Sequence, residues 1–205
     1  MGSGKRARQD SNLRLLPPEG SALSTELRAP ADLSPSYECS ARIVLIAIIA
    51  DTHLPRGDRR LPASCVERLG AADLILHAGD VMTEAALEEI EALGPPVLAV
   101  HGNVDCERLR RRLPEERLVE AGRARIGLVH DAGRAAGRLD RLRRRFPDAD
   151  AVVFGHSHLP LHEEDGGFAI FNPGSPTERR RAPRHTMGLA TVEDGRVAFE
   201  LIALD

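Results

Sequence analysis

The chain has no tryptophan, one tyrosine and five phenylalanines among its 205 residues. Its core must therefore be aliphatic, built from Leu, Ile, Val and Ala, a mixture that suits strands packed under helices. Three cysteines, Cys39, Cys65 and Cys106, are too few and too scattered for a disulfide framework. No Cys-x-x-Cys pair is present, which excludes a zinc knuckle or thioredoxin-like motif and points to a reducing, cytoplasmic setting. The longest apolar run, Ile43 to Ala50, falls far short of the about 20 residues of a membrane-spanning helix. Nor does it read as a signal peptide, because Asp51 and His53 come directly after it, where small cleavage-site residues belong. A net charge of -3 indicates neither a nucleic-acid protein nor strong self-repulsion. The length is that of one domain with a tail, large enough to bury a core without covalent staples.

Residues 1–40 differ from the rest. Met1 to Gly20 mixes Arg, Ser, Pro and Gly without periodicity, and Pro17, Pro18, Pro30 and Pro35 break any regular element up to residue 40. Lys5, the only lysine, lies here, every other basic residue being arginine. The stretch reads as a disordered or loosely attached extension; a start assigned too far upstream of Arg42 is the alternative. From residue 41 to 205 one domain is expected. Helical patterns cover Ala63–Leu69, Thr83–Leu93, Cys106–Leu113 and Ala135–Phe146, with Thr83 as a capping residue and Gly94-Pro95-Pro96 as a stop. After Gly155 come strand patterns at Leu161–Glu164, Phe168–Phe171, Thr186–Val192 and Val197–Ala203. Asp165-Gly166-Gly167 and Glu193-Asp194-Gly195-Arg196 interrupt them as hairpin turns, so the second half reads as an antiparallel meander.

The most informative pattern lies at the ends of five apolar runs. Ile43–Ala50 leads into Asp51-Thr52-His53, Leu74–Leu76 into His77-Ala78-Gly79-Asp80, and Val97–Val100 into His101-Gly102-Asn103-Val104-Asp105. Ile126–Val129 ends at His130, and Ala151–Phe154 at Gly155-His156-Ser157-His158. Short apolar runs read as buried strands, and open α/β sheets bind ligands beyond their strands' carboxyl ends. Five such ends carrying Asp, His and Asn predict one convergent metal site. Residues i and i+2 of a strand share a face, so Asp51 with His53, and His156 with His158, can each reach one ion if extended geometry persists. Mixed carboxylate and imidazole donors suit Mn²⁺, Fe²⁺, Co²⁺, Ni²⁺ or Zn²⁺ rather than Ca²⁺ or Cu(I). Gly79, Gly102 and Gly155 are expected to let the backbone turn sharply beside the ligands.

In order, Asp51-x-His53, Gly79-Asp80, Gly102-Asn103-x-Asp105, His130 and Gly155-His156-x-His158 resemble the calcineurin-like metallophosphoesterase superfamily, above all its small prokaryotic phosphodiesterase branch. The resemblance spans Arg42 to Asp205 and includes Asn172-Pro173-Gly174-Ser175. It implies an α/β domain of two packed, mixed β-sheets flanked by helices, a four-layer α/β/β/α sandwich. It further implies two divalent transition-metal ions, manganese first, with nickel, iron, cobalt or zinc as substitutes. One ion would take Asp51, His53, Asp80 and His158, the other Asp80, Asn103, His130 and His156, with Asp80 shared. A hydroxide between or on the ions would attack phosphorus in line with the leaving oxygen. Asp80, Asn103, Asp105 and His130 are then the catalytic candidates, Asp105 orienting Asn103 or a histidine from behind.

Three positions depart from the pattern or add to it. Larger phosphatases of the superfamily carry a histidine after Gly-Asn, thought to protonate the leaving group; here Val104 stands there, so good leaving groups are expected to be favoured. Asp131 stands after His130 where glycine is usual, and its added charge would tighten metal binding or repel an anionic substrate. The loop Leu54-Pro55-Arg56-Gly57 offers an arginine that can face phosphate. His77 and His101 are assigned orienting or packing roles, His162 and His185 the surface, and Cys106 packing at a helix start. Arg110–Arg112, and Arg141 with Arg143–Arg145, read as solvated helix faces with intrahelix pairs. Among Arg179–Arg181 and Arg184, one is a candidate phosphate clamp.

The expected function is metal-dependent cleavage of a small phosphodiester, with a phosphomonoesterase of the same fold as the alternative. The expected partner is a small phosphate-ester substrate, with neither membrane nor nucleic acid, and homo-oligomerisation left open. A protein-binding scaffold is the remaining alternative, since the retromer subunit of this fold has lost metal ligands; every ligand position is filled here.

Overall fold

The structure is a computed structural model that describes residues 43–204. The amino-terminal extension read from the sequence lies outside the described residues.

Two five-stranded sheets carry the domain, and both are mixed. The first runs in the order β10 (Arg196–Ala203), β9 (Thr186–Glu193), β1 (Val44–Ile49), β2 (Leu74–His77), β3 (Val97–Ala99), with β1, β2 and β3 parallel and β9 and β10 antiparallel. The second runs β4 (Glu116–Ala121), β5 (Ala124–Val129), β6 (Ala151–Val153), β8 (Phe168–Asn172), β7 (Leu161–Asp165). There β5, β6 and β8 are parallel and the two edges antiparallel.

Side-chain alternation along β1 shows how the layers form. Ile46 and Ile48 point into a core shared with Ile126, Leu128, Val153 and Phe171 of the other sheet. Ala47 and Ile49 point the other way, onto Cys65 and Leu69 of α1 (Ala63–Gly70) and Ile90 of α2 (Glu84–Glu91). Leu109 of α3 (Glu107–Arg112) joins Leu87, Ala99 and Val81 on that side. Outside the second sheet, Leu142 of α4 (Arg138–Arg145) and the adjoining Phe146 pack on Val129, Val152 and Phe154. The layers are therefore helix, sheet, sheet, helix, as the resemblance implied.

The expected helices all form; the first runs one residue further, to Gly70, and the other three have shorter ends. Thr83 caps α2 by accepting from Ala86 N at 3.3 Å. The last helix begins only at Arg138 because Gly137 before it adopts φ 64°, which interrupts the Ala135–Phe146 pattern. The meander reading is corrected. The two hairpins fall in different sheets: β7–β8 closes the second, while β9 returns to pair with β1 in the first. One strand, β4, was not expected. Its sequence Glu-Arg-Leu-Val-Glu-Ala buries only Val119 and Ala121, so a half-buried edge strand hides among charges.

Candidate metal centre

The carboxyl ends of β1, β2, β3, β5 and β6 meet at one place, and the pairing continues into the loops beyond them. Asp51 N donates to Gly79 O at 2.9 Å, His53 N to Asp80 O at 3.0 Å, and Gly155 N to His130 O at 3.0 Å. The loops are not extended, however. Asp51, His53, Asp80, His156 and His158 all have positive φ, between 46° and 68°. Such a conformation costs a non-glycine residue on the order of 1–3 kcal/mol, and clusters of it mark functional sites. Convergence of Asp51 with His53, and of His156 with His158, thus comes from left-handed turns rather than from strand alternation. Of the three glycines, only Gly79 turns with positive φ, at 87°. Gly102 and Gly155 serve close approach instead: a Cβ on Gly102 would lie 2.1 Å from Asp80 Oδ1, and one on Gly155 2.8 Å from Asp51 Oδ2.

All seven proposed ligands come together. Asp80 Oδ2 lies 3.5 Å from His53 Nε2 and 3.3 Å from His130 Nε2, between the two halves of the cluster. On one side, His158 Nε2 is 3.3 Å and His53 Nε2 3.9 Å from Asp51 Oδ1. On the other, Asn103 Oδ1 sits 3.1 Å from His130 Nε2 and 3.0 Å from His156 Nδ1. Asp51, His53 and His158 offer donor atoms close enough to share one ion, as do Asp51, Asp80 and His130. The first side is buried, with Asp51 and His158 fully enclosed; Asn103 and His156 are exposed.

The chemistry of this cluster fits cations. His130 Nδ1 donates to Ala78 O at 2.8 Å, which leaves the Nε2 lone pair facing the oxygens of Asp80 and Asn103. His158 Nδ1 is bonded to Glu178 O, so its Nε2 lone pair faces Asp51. Lone pair against oxygen is repulsive unless a proton or a metal ion sits between them. Asp51 Oδ2, His53 Nε2 and His158 Nε2 are buried without a hydrogen-bond partner. Titration reflects the same crowding. Burial pushes the Asp51 carboxyl up, but His158 and His53 outweigh it and hold it at about 2. Burial also works against charge on Asp80, yet its bond to His130 lowers it and raises His130 in turn.

Asp105 plays a different part from the one expected. Its carboxylate accepts from Gly102 N at 2.6 Å, Met82 N at 2.6 Å and Asp80 N at 3.2 Å. It ties the turns after β2 and β3 together through main-chain amides and does not orient Asn103 or a histidine through their side chains. His77 packs behind the cluster, its Nε2 3.0 Å from Thr52 Oγ1. His101 lines a cleft of about 280 Å³ together with Asn103, His130 and His156, and Arg110, Glu115, Asp131 and Arg145 line it as well. Asp131 accepts from Gly133 N at 2.7 Å, so it caps its own turn. Cys106 is the residue before the first turn of α3, as expected. His162 is exposed but rests edge-on against Phe171 and Phe199, so packing qualifies its surface role.

The arginine expectations need correction. Arg111 pairs with Glu107 within α3, but Arg110 donates to the carbonyl of Asn103, and Arg112 reaches Glu91 of α2 at 2.7 Å. Arg141 donates to Ala132 O at 2.7 Å, and Arg145 Nε bonds Glu116 at 2.6 Å. These side chains mostly join elements. Arg179 folds back onto Pro183 O at 2.9 Å. Sequence reasoning missed Glu178 and Arg59, which meet at 3.0 Å beside His53, because nothing in their local pattern marks them. Burial works against charge on Glu178, but the Arg59 guanidinium outweighs it and lowers its carboxyl.

Residues 44–195 match the model of the calcineurin-like phosphoesterase superfamily domain, and the chain belongs to that family. It is 36% identical over 139 residues to a protein called a probable metallophosphoesterase from Methanothermobacter thermautotrophicus, covering 67% of this chain and 80% of that one. A protein named a phosphodiesterase from Methanocaldococcus jannaschii is 26% identical over 142 residues, covering 63% and 82%. Among solved structures, vacuolar protein sorting 29 from Cryptosporidium parvum shares the fold at a TM-score of 0.66 and 24% identity, over 78% of this chain and 98% of its own. Among the described residues, no helix is long and apolar enough to cross a membrane.

Proposed function

We propose that the chain is a metal-dependent hydrolase of phosphate esters acting on small phosphodiesters at a binuclear centre. The observation that carries this reading is the position of Asp80 Oδ2, within 3.5 Å of His53 Nε2 and within 3.3 Å of His130 Nε2, where one carboxylate can serve two ions. Asp51, His53, Asp80 and His158 would hold one ion; Asp80, Asn103, His130 and His156 the other. The donor set suits manganese, with iron, cobalt, nickel or zinc as substitutes. Paired divalent ions, when bound, neutralise charge on the phosphoryl oxygens and lower the pKa of a coordinated water toward about 7.

The chain's own residues set the geometry. Asp105 fixes the turns that present Asp80 and Asn103, and Arg110 holds the Asn103 carbonyl. The cleft of about 280 Å³ opens on the Asn103–His130–His156 side and offers room for the esterified group. Val104, 40% exposed beside Asn103, offers no proton to a leaving oxygen. Substrates whose leaving groups depart without protonation are therefore favoured, which supports a diester reading alongside the relative named a phosphodiesterase.

A chelator-stripped preparation assayed with aryl phosphodiesters, aryl phosphomonoesters and cyclic nucleotides against Mn²⁺, Ni²⁺, Co²⁺, Zn²⁺ and Mg²⁺ tests the proposal. Activity should return only with metal, be highest on the aryl diesters, and fall at least about 100-fold in Asp80→Asn. Full activity without metal, or an Asp80→Asn chain that keeps its rate, would refute it. Monoesters cleaved faster than diesters would establish the phosphomonoesterase alternative.

A further inference from the structure

The loop after β8 reaches the buried half of the cluster at several points. Ser175 Oγ donates to Asp51 O at 2.8 Å and accepts from Glu178 N at 2.9 Å. Thr177 Oγ1 donates to Thr52 O at 2.6 Å. These bonds deliver Glu178 to a place where it meets both histidines of that half by different atoms. Its main-chain carbonyl accepts from His158 Nδ1, and its carboxylate Oε2 stands 3.6 Å from His53 Nδ1. Arg59 Nη1, at 3.0 Å from the same oxygen, and Arg56 Nη1, at 3.9 Å, hold the carboxylate in place. The Glu178 side chain is only 18% exposed.

An imidazole binds a cation well when its far nitrogen is turned to an oxygen acceptor, which fixes both tautomer and ring plane. On the other half, His130 uses the Ala78 carbonyl for this. On the buried half, both far nitrogens turn to one residue. We propose that Glu178 is the positioning residue of the His53–His158 half of the metal centre, holding both rings with Nε2 toward the ion, and that Arg59 braces it. This rests on the metal reading above.

The test is a Mn²⁺ titration of the full-length, chelator-stripped chain, with free Mn²⁺ counted by electron paramagnetic resonance. Wild type should take up two ions. Glu178→Ala should weaken one of them about 10–100-fold and leave the other within about threefold, and Glu178→Gln, which keeps an acceptor for His53, should weaken it less. The His53→Ala background locates the effect, because Glu178→Ala removes only the side chain that faces His53: there, adding Glu178→Ala should change nothing further, whereas in Asn103→Ala it should weaken the ion that remains. Two ions bound at wild-type affinity by both Glu178 variants would overturn the assignment alone, as would a loss that persists unchanged in His53→Ala. A wild-type chain that binds no manganese would overturn the metal reading and this assignment with it. Should Glu178→Ala fail to fold, by circular dichroism, Glu178→Gln decides.

Discussion

His77 is the residue whose burial has the plainest consequence. It is fully enclosed behind the cluster, and burial pushes its imidazole down from 6.5 to about 4. Well above pH 6.5 the ring is neutral in folded and unfolded chains alike, so it contributes no pH dependence there. As pH falls toward 4, the unfolded chain takes up the proton first and stability declines, by a total on the order of 3 kcal/mol. Asp51 works the same way but lower, losing its contribution only as pH falls from 3.8 toward about 2. Metal-free protein unfolded in urea between about pH 7 and 4 should therefore lose stability in that window, and His77→Gln should flatten the curve. Parallel curves for the two chains would show that His77 does not set the acid limit. The sequence marked His77 only as a packing or orienting histidine, because its partner, Thr52 Oγ1, sits on the loop after β1 and is invisible to local pattern. The expected ligand residues were legible for the opposite reason: each stands at or just past the end of an apolar run, so strand topology alone brings them to one end of the sheets. Their left-handed backbone was not legible, since Asp and His carry no local demand for it, and glycines at 79, 102 and 155 suggested turning where two of them serve close approach.

At the scale of elements, α4 shows how little apolar surface a layer requires. Three consecutive arginines, Arg143, Arg144 and Arg145, close its sequence, while Leu142 and the adjoining Phe146 are the buried anchors. Gly127 on β5 makes room for the ring: a Cβ there would lie 2.8 Å from Phe146. Truncating this anchor removes a large buried ring that no neighbour replaces. Phe146→Ala should cost about 3–5 kcal/mol in chemical denaturation. A loss below about 1 kcal/mol would mean that α4 is not part of the core. Long apolar strands and capped helices were readable because their periodicity survives in the sequence. The β4 edge was not, as its partner β5 supplies most of the burial, and the hairpins were assigned to one meander because turn residues fix pairing within a hairpin but not the sheet that receives it.

At the scale of the molecule, two sheets place five strand ends at one site, and the loop after β8 braces its buried half from the side. The outer half, with Asn103 and His156 exposed, faces the cleft. On the proposed function a substrate would approach through that half, while Ser175, Thr177 and Glu178 cover the other. The shared fold with vacuolar protein sorting 29 reaches the architecture, while the proposed chemistry rests on this chain's own donor atoms. The most direct measurement of that claim is an anomalous difference map, collected at the manganese edge, from crystals of the chain loaded with Mn²⁺. The account predicts two peaks about 3.5–4 Å apart, one on each side of the Asp80 carboxylate. A single peak that Asp80 does not touch, or no peak among the seven side chains, would contradict it.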